Sequence, residues 1–157
     1  MRYFTRELYE RYSRAALSPS DGGFEERVEK EGRAWSEANQ RYLDYLRSHD
    51  GQLSEAVRKL KSYALHDAIV TRVQIGPDTV QLFLDTQQTP MVQDGSVYIA
   101  FRGVREAYGL HDLVNQAILY EELYVHGDGT FEFSVLCSRS EAGVQFAGVE
   151  IRSQTTY

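Results

Sequence analysis

The sequence predicts an α+β fold, with N-terminal helices packed on a mainly antiparallel sheet of about six strands. Two observations carry this. Apolar residues recur at helical spacing up to about residue 64, and from residue 65 they switch to strict alternation. The alternating runs are separated by short turn signals rather than by helix-length crossovers, which is the pattern of antiparallel pairing. A length of 157 residues suits one domain, with residues 1–64 helical and residues 65–157 forming the sheet.

The helices come first. Thr5 is placed to cap a helix over about 6–16, with Leu8, Tyr12 and Ala15 on one face. The Ser-Pro-Ser-Asp-Gly-Gly stretch at 18–23 breaks it. A second helix over about 24–48 places Phe24, Val28, Trp35, Ala38, Tyr42 and Tyr45 on one stripe, with Glu26 and Lys30, and Glu29 and Arg33, at i,i+4 on the other. A third, over about 52–64, aligns Leu53, Ala56, Val57, Leu60 and Ala64, with Asp50 as its expected cap.

The strands follow. The first, about 67–75, sets Ile69, Thr71, Val73 and Ile75 on what reads as the core face, before a turn at Gly76-Pro77-Asp78. The second buries Val80, Leu82 and Leu84. A loop holding Pro90 leads to the third, with Val97, Ile99 and Phe101 inward. Residues 103–115 show no clear period and allow a helical turn. Strands at about 117–125 and 131–137 flank His126-Gly127-Asp128-Gly129, a hairpin signal, with Phe131, Phe133, Val135 and Cys137 on one face. A final strand is expected over about 144–152.

Composition narrows the function classes. Hydrophobic residues at 42% and charged residues at 25% exclude disorder, and no apolar run is long enough for a membrane span. The N-terminus lacks the apolar stretch of a secretory signal, and a single cysteine, Cys137, excludes an internal disulfide and a four-ligand thiolate zinc site. A reducing cytoplasm fits. Residues 1–63 carry 12 Lys/Arg against 11 Asp/Glu, whereas residues 64–157 carry 5 Arg, no Lys and 12 Asp/Glu, a balance of −7. Phosphate binding requires clustered Lys and Arg, so nucleic acid is not an expected partner. The acidic half would suit a basic protein or a cation.

The opening Met1-Arg2-Tyr3-Phe4-Thr5-Arg6-Glu7-Leu8-Tyr9-Glu10 resembles an uncharacterised bacterial family, domain of unknown function 4085 (DUF4085). Three later segments are similar to it as well: Leu65-His66-Asp67-Ala68, Ile118-Leu119-Tyr120-Glu121-Glu122, and Phe131-Glu132-Phe133-Ser134-Val135-Leu136. The resemblance implies a bacterial cytoplasmic protein and supplies no catalytic residues.

Six residues are the candidate binding set: His66, Asp67, His111, Asp112, Glu121 and Glu122. The two His-Asp pairs could ligate a divalent metal, yet in HD-class phosphohydrolases such a pair sits on a helix of an all-helical fold, and here it opens a strand or lies in a loop. Asp67 shares the parity of Ile69 and Thr71, so it is expected to accept backbone N–H bonds at the rim of the core. Alternation sends Glu121 and Glu122 to opposite faces, and the inward one should gain a raised pKa unless Arg72 or Arg102 pairs with it. That buried Glu–Arg pair is the expected outcome. The His126–Gly129 segment lacks the spacing of a calcium loop. Cys137 is expected to be buried and inert. No nucleophile elbow or phosphate loop is present. The eleven tyrosines suit an interface, although several belong to the helix stripe.

The expected function is therefore a non-catalytic binding or protein-interaction module of a bacterial cytoplasmic protein. It needs no cofactor, no metal and no membrane, takes a protein as partner, and leaves the oligomeric state open. The rival is a divalent-metal-dependent hydrolase using His66, Asp67 and Glu121 or Glu122.

Overall fold

The computed structural model describes residues 1–17, 23–89 and 95–154. The break expected at 18–22 and the Pro90 loop lie outside the described residues. The chain divides into two units, Met1–Asp50 and Gly51–Tyr157. The third helix thus goes with the sheets. Among the described residues, no helix is long and apolar enough to cross a membrane.

The first unit is a pair of helices, α1 (Arg6–Leu17) and α2 (Phe24–His49). Thr5 caps α1 as expected, its hydroxyl accepting the Leu8 N–H at 3.2 Å. The stripe on α2 gathers an aromatic cluster. Phe4 meets Trp35 at 5.1 Å and Tyr42 edge-on at 5.7 Å, and Tyr3 meets Tyr42 at 5.3 Å. Arg11 bridges the two helices to Glu31 at 2.7 Å.

A 3-10 turn at Asp50–Gln52 spans the boundary, and the first helix of the second unit is α3 (Glu55–Ser62). Ser54, not Asp50, caps α3: its hydroxyl accepts the Val57 N–H at 3.3 Å, because the intervening turn consumes Asp50. Val57 and Leu60 are buried. Eight strands follow: β1 (Ile69–Ile75), β2 (Thr79–Asp85), β3 (Ser96–Arg102), β4 (Glu106–Tyr108), β5 (Ile118–Val125), β6 (Phe131–Cys137), β7 (Glu141–Phe146) and β8 (Gly148–Gln154). They form two antiparallel sheets of four, ordered β1-β2-β3-β8 and β4-β7-β6-β5.

The expected six strands become eight because two extended segments bend from one sheet into the other. The chain leaves β3 through Gly103, at φ +60, and enters β4. Alongside it, the segment expected as one strand over about 144–152 divides at Ala147 into β7 and β8. The Ala147 N–H to Arg102 carbonyl bond at 3.0 Å and the Arg105 N–H to Gln145 carbonyl bond at 2.9 Å hold the two bends together. At this corner the chain passes from one sheet to the other. The remainder of the aperiodic segment 103–115 supplies the anticipated helical turn, a 3-10 turn at Leu110–Asp112.

A second junction joins the start of β1 to the start of β5. Asp67 N–H donates to the Ile118 carbonyl at 2.8 Å, Ile118 N–H to Ala68 at 2.9 Å, Val70 N–H to Gln116 at 3.0 Å and Asn115 N–H to Val70 at 2.8 Å. Between the sheets, Phe101 of β3 stacks on Phe133 of β6 at 5.6 Å and meets Phe146 of β7 at 4.8 Å. Cys137 is fully buried, as expected.

The core face assigned to β1 is corrected. Ala68 and Val70 are buried, whereas Thr71 and Ile75 are exposed. A bulge between Val70 and Arg72 shifts the pairing with β2 and reverses the phase of the alternation.

Candidate functional site

Three groups of the candidate residues fall in three places. At the β1–β5 junction, His66 Nδ1 lies 2.9 Å from Asp67 Oδ2, and both side chains are about half exposed. The His66 ring stands edge-on to Tyr120 at 5.4 Å. Asp67 does not act as the expected rim acceptor: among the described residues, no backbone donor reaches its carboxylate. Its contribution is conformational. It adopts φ +69, Asn115 adopts φ +63, and both donate junction N–H bonds; Asp and Asn are the side chains that tolerate the left-handed region best.

Glu121 and Glu122 separate onto the two faces of β5, as alternation requires. Glu121, partly covered, stands opposite Val135, and Glu122, fully buried, stands opposite Ser134. No arginine joins Glu121, so the expected Glu–Arg pair is not formed. Its Oε1 accepts the Leu65 N–H at 3.3 Å. Burial raises its pKa above the ordinary carboxyl range, and the Leu65 bond and nearby His66 offset some of that rise. Arg72 is instead stacked on Phe83 and Arg102 is paired with Glu150.

His111 and Asp112 are exposed on the 3-10 turn, and no bond or ion pair joins them to His66 or Asp67 among the described residues. The residue of structural consequence there is Gln116, which gave no sequence signal. Its buried amide accepts the Arg139 N–H at 2.7 Å, donates to Ser140 Oγ at 2.9 Å and donates to the Asp112 carbonyl. It clips the entry of β5 to the β6–β7 turn.

The hairpin after β5 is structural, as its glycines indicate. Asp128 accepts both the Thr130 hydroxyl at 2.6 Å and its N–H at 3.0 Å, and pairs with Arg105. The two Thr130 bonds hold the Asp128 carboxyl below its usual range. A polar chain continues across the outer side of the second sheet. His126 Nε2 lies 3.4 Å from Glu132 Oε2, Ser134 donates to Glu132 at 2.8 Å, and the Tyr108 hydroxyl lies 3.2 Å from Ser134 Oγ. Tyr108 reaches Ser134 by crossing Gly143, where a Cβ would stand 2.5 Å from its ring. Among the described residues, no three His, Cys, Asp or Glu side chains gather as metal ligands.

Sequence reasoning did not find the most distinctive surface. On the outer side of the first sheet, four strands place Arg72, Phe83, Tyr98 and Arg152 in one cross-strand row. The Arg72 guanidinium sits 3.7 Å over the Phe83 ring, Phe83 meets Tyr98 at 5.0 Å, and Arg152 lies 6.0 Å from the Tyr98 ring. The row lines an open cavity of about 500 Å³ with Thr71 and Ser96. A second open cavity, of about 850 Å³, lies between α3 and β8, where Lys59 donates to the Ile151 carbonyl at 3.3 Å. The only hint in the sequence was an outward aromatic at 83 and another at 98, each between buried neighbours.

A family model described as "Protein of unknown function (DUF4085)" matches residues 23–145, which covers most of both units. No curated protein matches the chain. Three of the four segments that carry the family resemblance lie inside the matched span, and Met1–Glu10 lies outside it.

Proposed function

The chain belongs to this family of unknown function (DUF4085), and on that premise we propose that it is a non-catalytic protein-interaction module of a bacterial cytoplasmic protein. Its contact surface is the outer side of the first sheet. One observation carries the reading: Phe83 and Tyr98 are only partly buried and stand in a row between two exposed arginines, Arg72 and Arg152. Aromatic residues and arginine are enriched in protein interfaces, where they supply contact area and hydrogen bonds at low entropic cost. Of the earlier candidates, Asp67 and Glu121 take part in the β1–β5 junction, the one through its backbone N–H and the other by accepting the Leu65 N–H.

The test is a photo-reactive benzoylphenylalanine in place of Tyr98, in the cells that make the protein. The expected result is a discrete protein adduct that disappears when Arg72 and Arg152 are both alanine. The reading fails if labelling matches that from a probe at the exposed Glu106.

The rival, a divalent-metal-dependent hydrolase, draws on His66, Asp67 and Glu121 at the β1–β5 junction. Melting with and without Mn²⁺, Zn²⁺ and Mg²⁺ separates the two. A metal-dependent gain of about 2.7 kcal/mol at a hundredfold excess over the dissociation constant would favour the hydrolase.

A further inference from the structure

Resting on that interaction reading, we infer that the Arg72–Phe83–Tyr98–Arg152 row receives an extended acidic segment of a partner protein. The segment carries two carboxylates about four residues apart, flanking an aromatic residue.

The charge argument is local. Residues 64–157 hold five arginines and no lysine in an acidic background. Three of the five, Arg72, Arg102 and Arg152, lie on this one face, because Tyr98 pairs with Arg152 in register and Arg102 shares the parity of Tyr98. The carboxylates beside them are Glu150 and Asp85. Glu150 binds both Arg102, at 3.0 Å, and Arg152. Asp85 is turned to the Gln87 N–H at 2.9 Å. Arg72 has no carboxylate partner among the described residues. The face is therefore a local cluster of cations in an acidic half of the chain, which favours an anionic group.

The spacing sets the form of the occupant. Arg72 and Arg152 are three strands apart, and neighbouring strands lie about 4.8 Å apart, so their positions on the sheet are separated by roughly 14 Å. An extended chain advances about 3.4 Å per residue and covers that distance in four residues. The Arg72 guanidinium uses its flat face on Phe83, which leaves its N–H edge free for a two-point bond to a carboxylate. The rings between the arginines offer a partner aromatic an offset stack. A polyanion fits worse, since a nucleic acid backbone demands many cations and this half has no lysine.

The test uses the full chain and two synthetic pentapeptides, Glu-Gly-Trp-Gly-Glu and its Lys-Gly-Trp-Gly-Lys counterpart, followed by amide chemical shifts. The acidic peptide is expected to give saturable shifts confined to β1, β2, β3 and β8, and to bind at least tenfold more tightly than the basic one. Combining Arg72→Glu with Arg152→Glu should reverse that preference, and the same spectrum reports whether the variant is folded. Equal responses to the two peptides, or a folded variant whose preference does not reverse, would overturn the acidic occupant. Tighter binding of a fifteen-nucleotide oligothymidylate, with a steeper salt dependence, would overturn it in favour of nucleic acid. An adduct from position 98 without any charge preference would leave the interaction module standing and remove only this occupant.

Discussion

On β2 and β3, Leu82, Leu84, Val97 and Ile99 are buried while the residues between them, Phe83 and Tyr98, are only partly covered. On β6 of the other sheet, Ser134 and Leu136 are as enclosed as Phe133 and Val135. The first sheet is a one-sided sheet, and the second is covered on both sides. The polar residues obey the same division. In the first sheet, charge stays in water and is held by stacking and by exposed ion pairs. In the second, the buried Ser134 is bonded to Tyr108 and Glu132, because an enclosed polar atom without a partner costs more than its bond gains.

Truncations on each side can break that comparison. The largest effect is expected from Phe101→Ala, which removes the ring that touches both Phe133 and Phe146 between the sheets. A loss of about 3–5 kcal/mol in urea unfolding is expected for a core phenylalanine. A loss close to that of an exposed residue would mean that the two sheets do not share a core. Gln116→Ala comes next. It strips the Arg139 N–H of its acceptor, and an unpaired buried donor costs about 1–3 kcal/mol. A neutral result would show that water replaces the amide.

Phe83→Ala should cost less, about 0.4–2 kcal/mol, because it deletes two cross-strand pairs on a wet face, with Arg72 and with Tyr98. If it cost as much as Phe101→Ala, the outer side of the first sheet would be core and could not serve as a contact surface. The smallest effect is one of slope. The raised pKa of Glu121 in the folded state makes its contribution full below the unfolded value of about 4.3 and lost as pH rises through the folded value. Wild-type stability should therefore fall over that window, and Glu121→Gln, which keeps an acceptor for Leu65, should flatten the profile. A variant with an unchanged slope would place the carboxyl in water.

Much of the scaffold was legible in the sequence, and the reason differs by element. The α2 stripe and the faces of β2, β3 and β6 follow from side-chain period alone, which needs no knowledge of neighbours. The split of Glu121 from Glu122 follows from the same rule. The phase of β1 was not legible: four β-branched residues mark one parity, but a bulge between Val70 and Arg72 switches the buried parity part-way along the strand. The division of 144–152 at Ala147 carries no Pro or Asn-Gly signal, because a corner shared by two strands depends on the strand beside it. Gln116 was silent since, Asp112 apart, its partners lie 22 to 24 residues downstream. The Arg72–Arg152 row was silent for a related reason. Its four members are separate outward positions on four strands, and only register makes them neighbours.

The bond from Lys59 to the Ile151 carbonyl has a consequence for how the protein avoids its own kind. β8 ends the first sheet, so one of its rims offers bare backbone groups to any passing strand. A lysine planted on that rim from α3 presents charge and bulk where a second copy would have to align. Two of the other three rims are blunted by different means. β4 is three residues long and begins with Glu106, too short to template a ladder, while the bulge in β1 twists its rim at Arg72. Resistance to strand-by-strand polymerisation therefore rests on a handful of rim positions rather than on the core.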